Sequence, residues 1–412
     1  MKDLLEISCG LDIHKEKIVA CILTGPLGKP THSEIREFTT LIPDMLALRD
    51  WIISENCHHI AMESTGIYWI PIYEILEDAF SGDITLLVVN ARHMKNVPGK
   101  KTDMRDSEWI STLLRAGLLN ASFIPEKRIR EFRDLNRYRK SIIRDITSQK
   151  NRVEKFLQIS GFRLSSFISD IFGASGRNII LHLMEHGQID KISLDSYLKT
   201  KTRKRIDEIL MSVNGTLSEH QKSFLKILMC HYDSMKEHLI EIETHLQEDM
   251  LPFALQIEQL NTIYGISTTA SCAIIAEIGT DMKPFKTAEH ICSWAGLCPG
   301  NNESAGKRKS TSITKGNPYI KSMLCEIAWV IAGKRNTYLS AWYWRIKQKK
   351  GARKAIVALA RKLLVIIYTM LKQGTNFDEN CFEVRRKNCE QKQLSRYIRE
   401  LEKHGYTVEA QV

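Results

Sequence analysis

The sequence predicts an α/β plus α protein: a mixed sheet covered by helices over residues 1–122, then helices over 123–412. Two observations carry this. Up to Leu119, short apolar runs alternate with segments of helical period in the order βββαβαβα, the pattern of a sheet with helices packed on it. From Pro125 onward, apolar residues recur at spacings of three, four and seven, the signature of a long amphipathic helix.

Residues 5–24 (LEISCGLDIHKEKIVACILT) read as two strands around a polar turn at His14 to Lys17, which puts Asp12 at the end of the first. A third strand is expected over Ser33 to Thr40. A helix follows over Ile42 to Ser54, with Met45, Leu48, Trp51 and Ile52 on one face. The short strand His59 to Met62 ends at Glu63, and Ser64, Thr65 and Gly66 turn into a helix from about Tyr68 to Asp78. Asp83 to Asn90 holds the β-prone run ITLLVV. After the basic link ARHMKNVPGKK, a helix over Asp103 to Leu119 offers Trp109, Leu113 and Leu114 for burial.

The segment 123–258 reads as a helical arm. Ile129, Phe132, Leu135, Ile142, Ile146, Val153 and Phe156 form the apolar stripe of its first helix, and His220 to Leu246 reads as a returning helix that pairs with it as a coiled coil. Between Lys127 and Lys155 stand eleven Lys or Arg and four Asp or Glu, so one helix carries much of the chain's basic character. The alternative is a plain intramolecular bundle.

The last third, 259–412, opens on LNTIYGISTTASCAIIAEIG, where a turn at Tyr264 to Thr268 separates two helical runs. This is a helix-hairpin-helix pattern, whose tight turn at Gly265 presents backbone amides to a phosphate. Such hairpins usually carry a second glycine where this chain has Ser267. Pro299 to Pro318, rich in Gly, Ser, Asn and Lys, is expected to be a loop. Helices resume at Pro318, and a basic one covers Ala352 to Gln373.

A net charge of +11 over 412 residues favours a polyanionic partner. Ten cysteines without a CxxC pair or zinc spacing argue for reduced, buried thiols. No apolar run reaches the length of a membrane span, and the opening MKDLLEISCGLD turns acidic before any signal-length core. A cytoplasmic, nucleoid-associated protein is the expectation.

Asp12, Glu63, Asp103 and Asp106 are the candidate chemical residues. Three lie where an apolar run gives way to a polar one, and Asp103 with Asp106, at i and i+3, share a helical face. Carboxylates gathered this way suit Mg²⁺, with Mn²⁺ as substitute, and two such ions can flank a scissile phosphate. Each acid alone could be a cap or a solvated group. Together, in βββαβαβα order, they fit the acidic site of ribonuclease-H-like (RuvC-like) nucleases and resolvases.

Six ordered segments, GLDIHKEK, AMESTGIYW, KTDMRDSEWISTLLRAGLL, IYGISTTASCAIIAEIG, WAGLCPGNNESAGKRK and ARKAIVALARKLLVIIYTML, resemble the DEDD transposases of the insertion-sequence group called IS-one-ten. The resemblance implies a RuvC-like domain whose metal ligands are Asp12, Glu63, Asp103 and Asp106. It also implies a C-terminal transposase domain whose nucleophile is Ser304, with Ser310 and Ser312 as alternatives. Ala305 between Ser304 and Gly306 departs from the family's Ser-Gly-like pattern. Lys307, Arg308 and Lys309 could stabilise charge on the phosphate, and Arg137, Arg144 and Gly265 are further candidate nucleic-acid contacts.

The implied activity is DNA strand cleavage and exchange through a phosphoserine, guided by a structured bridge RNA and carried out on double-stranded donor and target DNA. A homo-oligomer, dimer to tetramer, is implied, in which the acids of one protomer meet the serine of another. The alternative is a hydrolytic Holliday-junction resolvase, in which water attacks and Ser304 is a loop residue.

Overall fold

The computed structural model describes residues 3–64, 66–80, 82, 84–90, 103–300, 302–304, 307–310, 313–335 and 337–405. At 103–105, 201, 302–304, 307–310, 381–390, 392 and 393 it describes the backbone alone. The chain divides into two compact units, Met1–Ile124 and Pro125–Val412.

In the first unit the order is β1 (Ile7–Ile13), β2 (Lys17–Thr24), β3 (His32–Thr39), α1 (Ile42–Ser54), β4 (His59–Glu63), α2 (Trp69–Phe80), β5 (Thr85–Val89) and α3 (Asp103–Arg115). This is the expected βββαβαβα. The strands form one sheet in the order β3-β2-β1-β4-β5, antiparallel among the first three and parallel from β1 through β4 to β5.

Central strands β1 and β4 are covered on both faces, which is why their sequences read as nearly continuous apolar runs. One face carries Leu11, Ile13, Ile60, Met62 and Val88 into a core completed by Met45, Leu48, Trp51 and Ile52 of α1 and Ile72 and Leu76 of α2. Ala61 and Val89 meet Ile110, Leu113 and Leu114 of α3 on the other. β3 is a polar edge strand, as expected of an unpaired sheet margin. Helix α3 stops at Arg115, four residues short of the expected end. The reason is Gly117, whose φ of 66° sets a left-handed stop, with the Leu118 amide donating back to the Leu113 carbonyl.

The way α3 lies on β1 decides the rest of this unit. A Cβ at Gly10 would sit 2.1 Å from the Ser107 carbonyl oxygen and 2.5 Å from the Ser111 nitrogen, so helix backbone rests directly on strand backbone. Ser8 and Ser111 close the seam, their hydroxyls 2.8 Å apart and the Ser111 hydroxyl donating to the Ser8 carbonyl at 2.9 Å. At its far end the buried Arg115 guanidinium donates to the carbonyls of Glu6, Gly25 and Pro26 at 2.8, 2.9 and 3.0 Å. Three points thus fix the register: Arg115 with Glu6, Ser111 with Ser8, Ser107 with Gly10.

The second unit is helical. Helix α4 (Lys127–Ile159) is followed by a cap of four short helices, α5 (Ala174–His186), α6 (Lys191–Tyr197), α7 (Thr200–Arg203) and α8 (Ile206–Ser212), and by α9 (Glu219–Met250). At 33 and 32 residues, α4 and α9 are each about 50 Å long. They pair antiparallel: Arg139 binds Glu243 at 2.6 Å, Gln149 donates to the Leu228 carbonyl at 2.8 Å, and Gln221 donates to Ser160 at 3.3 Å. Buried Leu225, Met229, Tyr232, Met235, Leu239, Ile242 and Leu246 recur at three and four along α9, the seam of a coiled coil. The stripe on α4 differs from expectation at two places: Gln149 and Leu157 are buried, whereas Leu135 and Phe156 are only half-buried.

Beyond the arm come α10 (Ala254–Asn261), α11 (Thr268–Ile278), α12 (Ala288–Trp294), β6 (Asn302–Ser304), β7 (Lys307–Ser310), α13 (Pro318–Gly333), α14 (Tyr338–Lys350), α15 (Ala352–Gln373) and α16 (Asn380–Lys403). The segment expected to be a plain loop contains the β6–β7 hairpin. Strands of three and four polar residues leave no hydrophobic alternation to read. Ser267, in the place of a hairpin glycine, caps α11 by accepting from the Ala270 amide.

Replacing Gly10 by alanine forces α3 off β1. We expect Gly10→Ala to lower the urea midpoint of the first unit by an amount equivalent to about 2–3 kcal/mol. An unchanged midpoint contradicts the seam.

Candidate functional site

β1 and β4 are parallel neighbours, with Gly10 opposite Ala61 and Leu11 opposite Met62. One residue further along each strand stand Asp12, next to the end of β1, and Glu63, the end of β4. Side chains alternate along a strand, so Asp12 and Glu63 follow Gly10 and Ala61 onto the face that α3 covers. The helix register brings the third acid. Four helical residues rise about 6 Å and two strand residues about 6.6 Å. The pairings of 115 with 6, 111 with 8 and 107 with 10 therefore continue toward residue 12 at the turn holding 103 and 106.

The electrostatics match this placement. Asp12 is 5 % exposed. Burial pushes its carboxyl above the usual range, the charges of Glu63 and Asp106 push it further, and His14 opposes them. His14 Nε2 lies 3.1 Å from Asp12 Oδ2. Asp12 thus feels the charges of Glu63 and Asp106; at Asp103 the backbone alone is described, in the first turn of α3. Among the described residues no three His, Cys, Asp or Glu side chains stand together in metal-holding geometry. The donor set is nonetheless hard oxygen, and its mutual repulsion is what a divalent cation relieves.

Ser304 closes β6, paired with Lys307 of β7. Lys309 and Ser310 lie further along β7, and Arg308 pairs with Glu303. Ala305, Gly306 and Ser312 fall outside the described residues.

The root of this hairpin is pinned. Pro299 bridges Ile313, the Thr314 amide donates to the Cys298 carbonyl at 3.0 Å, and Gly296 and Gly316 touch so closely that a Cβ on Gly316 would lie 2.2 Å from the Gly296 nitrogen. Asn317 then joins two jobs. Its carbonyl oxygen caps α13, accepting from Tyr319 and Ile320 amides, and its amide nitrogen donates to Glu277 Oε2 at 2.6 Å.

Glu277 is a buried carboxylate at the end of α11, and α4 supplies its counter-charge. Arg137 grips it with two bonds of 2.8 Å while its guanidinium stacks 4.2 Å above the Tyr319 ring. Arg133 donates to the Ala276 and Glu277 carbonyls at 3.0 and 2.7 Å, and burial lowers its guanidinium to about 10. The sequence reading gave Arg137 to nucleic acid; in the structure its Nε and Nη2 bind Glu277, so it ties the arm to the hairpin root. Arg144 is exposed on α4. Gly265, at φ 89°, forms the turn between α10 and α11, packed against Val330 and Ile331 of α13.

Three contributors escaped the sequence reading. His14 stands two residues after Asp12, hence on the same face, and that spacing was the available signal. Gly10 was signalled by a glycine inside a strand pattern, which marks close backbone approach. Glu277, a lone acid in the apolar run CAIIAEIG, was signalled by its cost if unpaired.

Acids near the ends of parallel strands in the first unit, and an anchored basic hairpin carrying a serine in the second, are features of polynucleotide-processing proteins. Comparison with known families gives the particular one. Residues 9–161 match the DEDD transposase model of IS110, and residues 257–345 match the model described as "Transposase IS116/IS110/IS902 family". The chain belongs to the IS110 family of transposases.

The pilin gene-inverting protein of Moraxella bovis is 32% identical over 127 residues, 30% of this chain and 39% of that protein. The putative transposase y4qE of Sinorhizobium fredii is 22% identical over 280 residues, 66% of this chain and 58% of that protein. The chain thus spans about two fifths to three fifths of the length of these curated relatives. Among the described residues no helix is long and apolar enough to cross a membrane.

The raised Asp12 carboxyl yields a prediction with a definite sign. Its contribution to stability is full below the ordinary carboxylate range and is lost as the pH rises through the raised value. With chelator at neutral pH, Asp12→Asn therefore melts no lower than the wild type, and Mg²⁺ raises the melting temperature of the wild type alone. A lower melting point for Asp12→Asn in chelator contradicts the reading.

Proposed function

We propose that the protein is a DNA recombinase of an insertion sequence, which cuts and exchanges DNA strands through a covalent bond to Ser304. The observation that supports the metal half is that buried Asp12, near the end of β1, feels the charges of Glu63 at the end of β4 and of Asp106 in the first turn of α3. The sheet order of the first unit, with two antiparallel pairings (β3-β2, β2-β1) and two parallel ones (β1-β4, β4-β5), supports a RuvC-like fold for it.

Asp12, Glu63, Asp106 and, with them, Asp103 would hold Mg²⁺ or Mn²⁺. When bound, such an ion polarises the scissile phosphate and favours attack on it. The chain's own residues orient and select. His14 holds the Asp12 carboxylate by its Oδ2, and the α3 seam keeps Asp106 over the strand ends.

In the second unit, the Ser304 hydroxyl attacks the phosphorus. A Ser–O–P bond forms, the bond from phosphorus to the deoxyribose oxygen breaks, and the displaced oxygen leaves as a hydroxyl carrying a proton. Attack by a hydroxyl from another strand reverses these steps and returns the serine. The bond energy is conserved throughout, so no nucleotide cofactor is required. Lys307, Arg308 and Lys309 compensate charge on the phosphate.

A relative named for gene inversion favours this reading over hydrolysis, since inversion requires strands to be rejoined. The composite arrangement, with acids from one protomer and serine from another in a dimer or tetramer, and guidance by a bridge RNA, come from the family resemblance and belong to the same proposal. The protein would act in the bacterial cytoplasm at the nucleoid.

With full-length protein and its element-end DNA, Ser304→Ala should abolish strand exchange and the covalent protein–DNA adduct, by at least roughly a thousandfold, while DNA binding survives. Ser310→Ala and Ser312→Ala should retain the adduct. Normal cleavage by Ser304→Ala identifies a hydrolytic resolvase instead.

A further inference from the structure

The aromatic run Trp342, Tyr343, Trp344 splits in the structure. Tyr343 is buried at 1 % exposure, whereas Trp344 is 41 % exposed. Trp329 at 53 %, Val330 at 52 % and Tyr264 at 46 % are also open. These residues form one surface. Trp329 and Trp344 flank the buried Tyr343 ring, with centroids 6.3 and 5.5 Å from it. Trp344 Nε1 donates to the Ala332 carbonyl at 3.2 Å, and Val330 packs on Gly265, the neighbour of Tyr264.

Cations are set among the rings. Lys334 Nζ lies 3.6 Å from the centroid of Tyr264, and Lys347 Nζ lies 4.0 Å from that of Trp344. Between Ile327 and Phe377 the chain has eleven Lys or Arg and no Asp or Glu. The one carboxylate of α13, Glu326, is paired with Lys140 at 3.6 Å. The charge balance of this segment equals that of the entire chain, concentrated where the aromatic rings are exposed.

Exposed rings, two of them carrying a lysine on one face, together with a segment that has no carboxylate, fit a partner that offers both bases and phosphates. A duplex hides its base faces, and an apolar protein surface would have to strip water from the lysines. We propose that Tyr264, Trp329 and Trp344, with Lys334 and Lys347, form a stacking platform for an unpaired DNA strand. Only the choice of DNA over RNA rests on the proposed recombinase activity; the stacking platform itself does not need Ser304 chemistry.

The test is anisotropy of a labelled oligothymidylate with the full-length protein. Trp329→Ala and Trp344→Ala should each weaken binding roughly tenfold, while Trp329→Phe and Trp344→Phe keep most of it. Lys334→Gln should reduce the salt dependence of binding by about one unit of slope. Folded Trp329→Ala and Lys334→Gln proteins that bind the oligonucleotide like the wild type overturn the proposal. So does tighter binding of an oligouridylate that these variants abolish, which makes RNA the occupant. Loss of the oligomer in light scattering with unchanged oligonucleotide affinity also overturns it, making the surface a protein interface. None of these readouts depends on the adduct assay, so the two proposals fail separately.

Discussion

The close crossing of α3 over β1 at Gly10 is the contact on which the acidic site depends. Ordinary helix-on-sheet packing interposes side chains; here Gly10 removes the strand's side chain, and the Ser107 carbonyl and Ser111 nitrogen come down onto the space. A helix so close cannot slide, and the Ser8–Ser111 hydroxyl pair and the Arg115 clamp fix it along the strand. Its first turns therefore reach the strand ends where Asp12 and Glu63 stand. Burial is the main cost at Asp12, with the charges of Glu63 and Asp106 adding to it, and the two apolar cores of the unit offset it.

The second unit solves a different problem. A basic hairpin of seven strand residues depends on its base for its position. Its base is held by the Gly296–Gly316 contact and, through Asn317, by a buried carboxylate that also binds two arginines of the arm. Breaking one partner of such a buried pair leaves an uncompensated charge, so the network rigidifies by the penalty of its disruption. Movement of α4 along its axis would be felt at the hairpin root through Glu277.

Much of the first unit was legible because its determinants are local. Apolar runs gave the strands, and the face of α1 was read residue for residue: Met45, Leu48, Trp51 and Ile52 are its buried positions. The placement of Asp12 near the end of β1, Glu63 at the end of β4 and Asp106 in the first turn of α3 followed from apolar runs and helical spacing. The β6–β7 hairpin was not legible, since polar strands this short carry no periodic signal. The fate of Arg137 was hidden for another reason. A cation in a basic helix looks like a phosphate contact, and the carboxylate that claims it lies 140 positions away in sequence. The split of Trp342, Tyr343 and Trp344 into buried and open rings likewise depends on where α14 meets α13, which no local pattern encodes.

Backbone contact at Gly10, which contributes no ligand atom itself, positions the acids proposed to hold the metal. Calorimetric titration of Mn²⁺ into Gly10→Ala, at a temperature where circular dichroism shows it folded, tests this directly. The account predicts affinity roughly tenfold or more below the wild type, although every acid is intact. Wild-type Mn²⁺ affinity in the folded variant would contradict it.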